Sequence, residues 1–378
     1  MGSALALGAI LGEKLGSESL AGLPTTATTL GAAAAGIPLA RLASARGRRV
    51  SLSTGLAVGI VGTVTVIAAI QLASFAVLLA GMIGIGMGNA VNLQARFAAA
   101  DLSAPERRGR DISLVVWTTS FGTIAGPNLV GVGGRLGEAL GLDALAGPFV
   151  IAVTAMVLAA MVLLIALRPD PLLMARDLSG DPHPEAARPR GGVAVLRATG
   201  TAQFAIATVV IAHALMVAVM AMIPVHMMHG GATIKIVGFA VSLHIAGMYL
   251  LSPVFGWAVD AVGSQPVIAL GMGIYVGACA LAALSGNSLR LLVTSLVLVG
   301  LGWSAATVGA ATLLTSSVSA EERAPLQGVS DSLMSLAGAA GGAASGVVVG
   351  FAGFPALAWG AAVVAGAALA ATLTRRRA

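Results

Sequence analysis

Two short spacings in the second half of the chain carry the residue types best suited to chemistry. Met216 is followed by Met220, and His244 by Met248. Residues four apart share one face of a helix, so each pair turns two ligand-type side chains the same way, and His213 extends the first pair by a turn. Thioethers are soft, uncharged ligands suited to Cu(I), and a neutral imidazole completes such a set. Carboxylates would cost about 2.5–3.5 kcal/mol each at the centre of a membrane helix. Six of the 14 methionines and four of the five histidines fall between His213 and Met248. Near the end of the first segment, His226, Met227, Met228 and His229 offer a capture point at an outer mouth. A plainer reading stays open beside this one. Methionine fills gaps in apolar helices, and the same residues would serve as packing beside a pocket for an organic solute.

The elements that must position these residues are membrane helices. The chain is 57% hydrophobic and 10% charged, against about 25% charged in soluble proteins, with a mean hydropathy of +0.96. One water-facing core could not hide that much apolar surface. Fifty glycines fit close helix packing in lipid, where small residues replace the hydrophobic drive between helices. The net charge of +6 is scattered along loops with few tyrosines beside it, which argues against nucleic acid as a partner. The lone Cys279 excludes a disulfide within the chain. Runs long enough to span, about 20 residues each, lie near 19–40, 51–71, 75–97, 112–134, 147–167, 200–226, 236–258, 265–285, 289–314, 327–350 and 354–373. Met1 to Leu15 reads as the second half of one more span, so the first helix looks truncated, its start expected roughly 16 residues upstream. Asp331 is expected to cap its helix through the dipole rather than to carry a proton, and Asn89, Asn92 and Gln94 to hydrogen-bond between helices rather than to line the pathway. The spans carry no Ser-His-Asp set, acid pair, HExxH or phosphate-binding loop, so no enzyme and no cofactor is expected.

The stretch from Arg168 to Arg197, with Pro182, Pro184 and Pro189, reads as a flexible linker. With it placed in the cytoplasm, only Lys14, Arg135, Lys235 and Arg290 of the 21 Lys and Arg fall outside cytoplasmic loops and helix ends. That asymmetry is the positive-inside bias, and it puts both termini inside. The chain also repeats itself. Ser103-Ala104-Pro105-Glu106-Arg107 returns as Ser319-Ala320-Glu321-Glu322-Arg323, and the same separation maps Gly47 to Gly263, Gly84 to Gly300 and Gly86 to Gly302. Six spans separate the copies, so the halves run parallel. The expected organisation is a first bundle over 1–167, a cytoplasmic linker over 168–198 and a second bundle over 199–378.

The loops resemble a known signature. Gly256-Trp257-Ala258-Val259-Asp260-Ala261-Val262-Gly263 is similar to the Gly-x-x-x-Asp-x-x-Gly loop motif of the major facilitator superfamily. The first-half copy keeps Gly47, Arg48 and Arg49 but has Ser44 in place of the acid, so each copy looks like a degenerate cytoplasmic gate. Gly122-Thr123-Ile124-Ala125-Gly126-Pro127 resembles the superfamily's exporter motif. The Met216/Met220 and His244/Met248 spacing resembles that of the CcoA-like transporters, which import copper. The resemblance implies an all-α membrane protein of the major facilitator fold, two parallel six-helix bundles working by alternating access. It further implies a monomer in the cell membrane whose partners are the lipid bilayer and a small solute or metal ion, copper being the transported substrate. Proton-coupled efflux of drugs or small metabolites is the alternative. The charge bias makes a direct prediction: in intact cells an impermeant thiol reagent labels Ser288→Cys and not Ser179→Cys. Labelling of Ser179→Cys from outside would reverse the orientation.

Overall fold

The computed structural model describes residues 2–17, 20, 22–179 and 191–375. Within them the chain is helical. The elements are α1 (Gly2–Leu15), α2 (Leu23–Gln71), α3 (Phe75–Asp101), α4 (Arg108–Asn128), α5 (Val130–Ala139), α6 (Gly147–Ala166), α7 (Pro171–Ser179), α8 (Gly192–Ala198), α9 (Gly200–His229), α10 (Ile234–Tyr249), α11 (Ser252–Val262), α12 (Ser264–Leu284), α13 (Leu289–Ser316) and α14 (Ala320–Arg375). Among the described residues, eight helical segments are long and apolar enough to cross a bilayer, and α2 and α14 lie in the two longest. Each of those is two helices joined at a glycine, Gly47 in α2 and Gly353 in α14. The expected span at 112–134 is instead broken between α4 and α5 at Leu129.

Two compact units divide the chain, the first formed by Met1–Leu102, Phe121–Val195 and Ser319–Ser335, the second by Ser103–Ser120, Leu196–Val318 and Leu336–Ala378. Each unit takes one segment from the other half of the sequence, and those two segments begin with the repeated pentapeptide. In the first unit, α2 and α3 approach through glycine. A Cβ on Gly86 would run into the Thr28 carbonyl, and one on Gly62 would sit 2.6 Å from the Gly84 backbone. In the second, α10 and α13 meet the same way, since a Cβ on Gly300 would strike the His244 carbonyl. Thr28 and His244 occupy equivalent places in the repeat. The largest buried cluster lies in the second unit, where α9, α10, α12, α13 and the last part of α14 pack Val219, Ile223, Tyr275, Leu296 and Trp303 together.

The stretch expected to be a flexible linker is helical and docked at its described ends; its centre, residues 180–190, lies outside the described residues. Asp170 accepts from the Arg49 backbone N–H at 2.8 Å, and Arg176 donates to the Ser44 carbonyl at 2.7 Å. Leu172 is buried with Ala43 and Ala324. At the opposite end of the first unit, Lys14 donates to Asp143 at 2.8 Å. That bond, aided by the Leu145 N–H, holds the Asp143 carboxyl below the usual carboxylate range.

Gly47 (φ 86°, ψ 171°) and Gly263 (φ 89°, ψ 164°) have nearly one conformation, in a region costing other residues about 1–3 kcal/mol. A Cβ on Gly47 would also meet the Asp170 carboxylate, whereas Gly263 faces open space. Gly47→Ala is therefore expected to lower the melting temperature of the detergent-solubilised protein clearly more than Gly263→Ala, checked by thermal unfolding of both variants.

Candidate functional site

His244 stands on α10 with none of its surface exposed. Its Nδ1 lies 2.6 Å from the Leu296 carbonyl of α13. A carbonyl can only accept, so the proton sits on Nδ1 and Nε2 keeps a lone pair. That Nε2 is buried with no hydrogen-bond partner in the protein. A backbone carbonyl fixing the tautomer in this way is the usual support for a ligating histidine. Met216 and Met248, 5% and 6% exposed, belong to the surrounding apolar cluster, and the half-buried Met220 packs against it. Among the described residues no three His, Cys, Asp or Glu converge as a metal-ligand group, so any metal here would rest on thioethers.

His213 is engaged elsewhere. Its Nδ1 accepts from the Trp303 indole N–H at 3.2 Å, which places the proton of the neutral ring on Nε2 and removes Nδ1 as a ligand. The Tyr249 ring stands edge-on to Trp303, centroids 5.7 Å apart at 75°. Beside the imidazole, a Cβ on Gly338 of α14 would approach within 2.7 Å of the ring. His213, Trp303 and Tyr249 thus bring three rings from α9, α13 and α10 together, near the middle of the long apolar segments that carry them. Sequence spacing could not pair Trp303 or Tyr249 with His213, because the three are far apart in the chain. Farther along α9, His226 hydrogen-bonds through Nε2 to the Gly286 carbonyl at 3.0 Å and stacks on Phe354 at 4.4 Å. Those contacts fasten the end of α9 to the turn before α13 and to α14. His229 is exposed.

Each copy of the gate motif lacks half of its charges, and Arg48 and Asp260 each find a counterpart outside the motif. Arg48, fully buried, holds both oxygens of Asp101 through Nε (2.7 Å) and Nη2 (3.3 Å) and reaches Gln327 at 2.5 Å. Asp260 accepts from the backbone N–H groups of Gly109 (2.8 Å) and Arg110 (2.9 Å), satisfying orphan donors at the start of α4, where the helix dipole favours an anion. Gly256 lets that helix lie against it: a Cβ there would strike the Ser113 hydroxyl. Ser252 adds a bond to the Ser113 carbonyl at 3.0 Å. Arg49 contributes its backbone N–H to Asp170, and Gly263 the turn that follows Asp260. One expectation is corrected, that for Asp331. It caps no helix; it is paired with Arg96 at 2.8 Å, both side chains buried. Gln94, another of the polar residues on α3, does bond between helices, to the Gly36 carbonyl at 3.1 Å.

The sequence profile of the Major Facilitator Superfamily matches residues 1–230 and 204–378. The chain is 39% identical to the uncharacterized MFS-type transporter YdeG of Bacillus subtilis (strain 168), over 92% of this chain and 83% of that one. It is 28% identical to the riboflavin transporter RfnT of Brucella anthropi, over 87% of this chain and 80% of the relative. Among solved structures, the fucose:proton symporter FucP of E. coli superposes with a TM-score of 0.71 at 16% identity, covering 99% of this chain and 95% of the other; that likeness concerns the fold. With a membrane-spanning helical chain, a twice-repeated gate motif and a profile match over its whole length, this protein belongs to the major facilitator superfamily of transporters.

Proposed function

We propose that this transporter carries a small, planar organic solute, engaged by the cluster of Trp303, Tyr249 and His213. The observation that carries the reading is the hydrogen bond from Trp303 to His213 with Tyr249 set against the indole. It holds an aromatic wall at mid-depth, where superfamily transporters take their substrates, with the buried Trp303 backing the half-buried rings of His213 and Tyr249. Aromatic faces bind flat heterocycles by stacking, worth about 1–3 kcal/mol per ring by alanine substitution. The neutral His213 adds directed polarity without a charge to desolvate. The likeness to a relative named as a riboflavin transporter supports the same chemistry.

Copper uptake is the second reading, favoured by one specific feature, the unpartnered Nε2 lone pair of His244 amid the thioethers of Met216 and Met248. In both readings the small solute crosses the plasma membrane, with both termini on the cytoplasmic side.

Riboflavin and Cu(I) held reduced by ascorbate serve as probes in proteoliposomes. Riboflavin uptake is expected, with Trp303→Ala weakening its binding about tenfold, the equivalent of about 1.4 kcal/mol, while Met216→Leu, Met220→Leu and Met248→Leu leave it within about twofold, each being a volume-conserving change. Copper uptake that falls in the Met→Leu series and vanishes in His244→Ala, with riboflavin neither bound nor moved, would instead establish the copper reading.

A further inference from the structure

The bond that orders the aromatic cluster works in one direction only. The Trp303 indole N–H can only donate, and it donates to His213 Nδ1 at 3.2 Å. An imidazolium carries a hydrogen on both nitrogens, so a protonated His213 cannot accept from Trp303. The two groups would then face each other as donors. In this structure the ring is neutral and half-buried, set between Trp303 of α13 and Gly338 of α14.

The elements packed against the ring present rings, hydroxyls and backbone. From α13 comes Trp303, and from α10 the phenol of Tyr249. From α12 the Tyr275 hydroxyl donates to the carbonyl of Ala212, the residue before His213, at 2.7 Å. The other titratable groups of α9 are His226 and His229, in its last turn. Along α14 the acid nearest Gly338 is Asp331, about 10 Å away by helical rise, and it is paired with Arg96. Toward one end of the second unit the charges share a sign. Lys235 and Arg290, both exposed, open α10 and α13 on the side where His226 bonds the Gly286 carbonyl. The described acids of this unit, Glu106, Asp111 and Asp260, gather at its other end, around the start of α4. A rim of one sign draws anions toward the site behind it.

We propose that this site takes an acidic planar solute together with a proton, and that His213 carries the proton. The inference rests on the reading that the aromatic cluster engages the solute, and it adds the solute's charge. The proton comes from water and adds to Nδ1, which breaks the hydrogen bond from Trp303. An oxygen of the solute's acid group enters between the two rings and accepts from both N–H groups, at about 2.9 Å from each. Imidazolium and anion cancel, so the low-dielectric site gains no net charge. The linkage is reciprocal: the acid raises the ring's affinity for the proton, and the proton raises the site's affinity for the acid. When the solute leaves, the proton returns to water, Nδ1 regains its lone pair and the Trp303 bond re-forms. A neutral solute of the same shape stacks on the aromatic faces and leaves that bond intact.

Two flavins with one ring system provide the test in the detergent-solubilised full-length protein. Lumiflavin is neutral, and 10-carboxymethylflavin carries a carboxylate that stays ionised near neutral pH. Binding is measured by equilibrium dialysis at pH 7, and protons are counted with an indicator dye in weak buffer. The acid is expected to bind about tenfold tighter than lumiflavin and to draw about one proton per molecule bound, whereas lumiflavin draws none. His213→Gln should bring the affinity ratio of the two flavins to about one and abolish the proton uptake. Trp303→Phe, which keeps a ring but removes the N–H, should lower the ratio and keep the proton uptake. Equal binding of the two flavins, acid binding with no proton drawn, or uptake that persists in His213→Gln would overturn the proposal and leave the aromatic reading in place. Binding of neither flavin would sink that reading and the proposal with it. If His213→Gln fails to fold, the proton counts for the two flavins with His213 intact decide the matter.

Discussion

Arg48 is a fully buried cation, and much of the first unit is arranged around keeping it so. A guanidinium out of water costs several kcal/mol unless its counter-charge and hydrogen bonds follow it. Asp101 must therefore end α3 at the right height, and Gln327 must arrive on α14. Gly47 must turn the chain so that the arginine points inward, with Asp170 accepting the next backbone N–H. Four separate stretches of sequence meet at one charge. In lipid-embedded helices, where apolar burial does not distinguish one neighbour from another, such polar meeting points fix which segments belong together.

The second unit solves the equivalent problem with the signs exchanged. Its turn at Gly263 has the backbone conformation of Gly47, but the motif there keeps the acid and lacks the arginines. Asp260 needs no cation, because the first turn of α4 supplies two N–H donors and the positive end of a helix dipole. Ser252, Gly256 and Ser113 close the same contact by small size. The repeat has thus kept the geometry of the turn and the close approach of helices while each copy lost a different half of its charges. A glycine can be inherited by its φ alone, whereas an ion pair survives wherever a partner of the right sign can be found.

At mid-depth the second unit is built from rings and sulfur. Trp303, Tyr249 and His213 form one group, joined by a donor that can only donate and a ring that can only accept at Nδ1. His244, Met216 and Met248 form another, with its imidazole pinned by Leu296. The two histidines have opposite tautomers because their partners have opposite polarity. One offers a lone pair at Nε2 and the other a proton there, which suits them to different chemistry although the sequence presents them alike.

Composition and spacing determined that the chain lives in lipid, where most of its spans lie, that its halves repeat, and that its loops carry a major facilitator signature. Those features are legible because they are local or periodic: length of an apolar run, sign of a loop, recurrence of a glycine. The partners of Arg48, Asp260 and Asp331, and the ring set around His213, were decided only by tertiary structure. Arg48 and Gln327, Arg96 and Asp331, His213 and Trp303 are each brought together across long separations in the chain. In an apolar solvent the sequence leaves many helix pairings of nearly equal energy, and the choice among them rests on a few buried polar contacts that no spacing rule reveals.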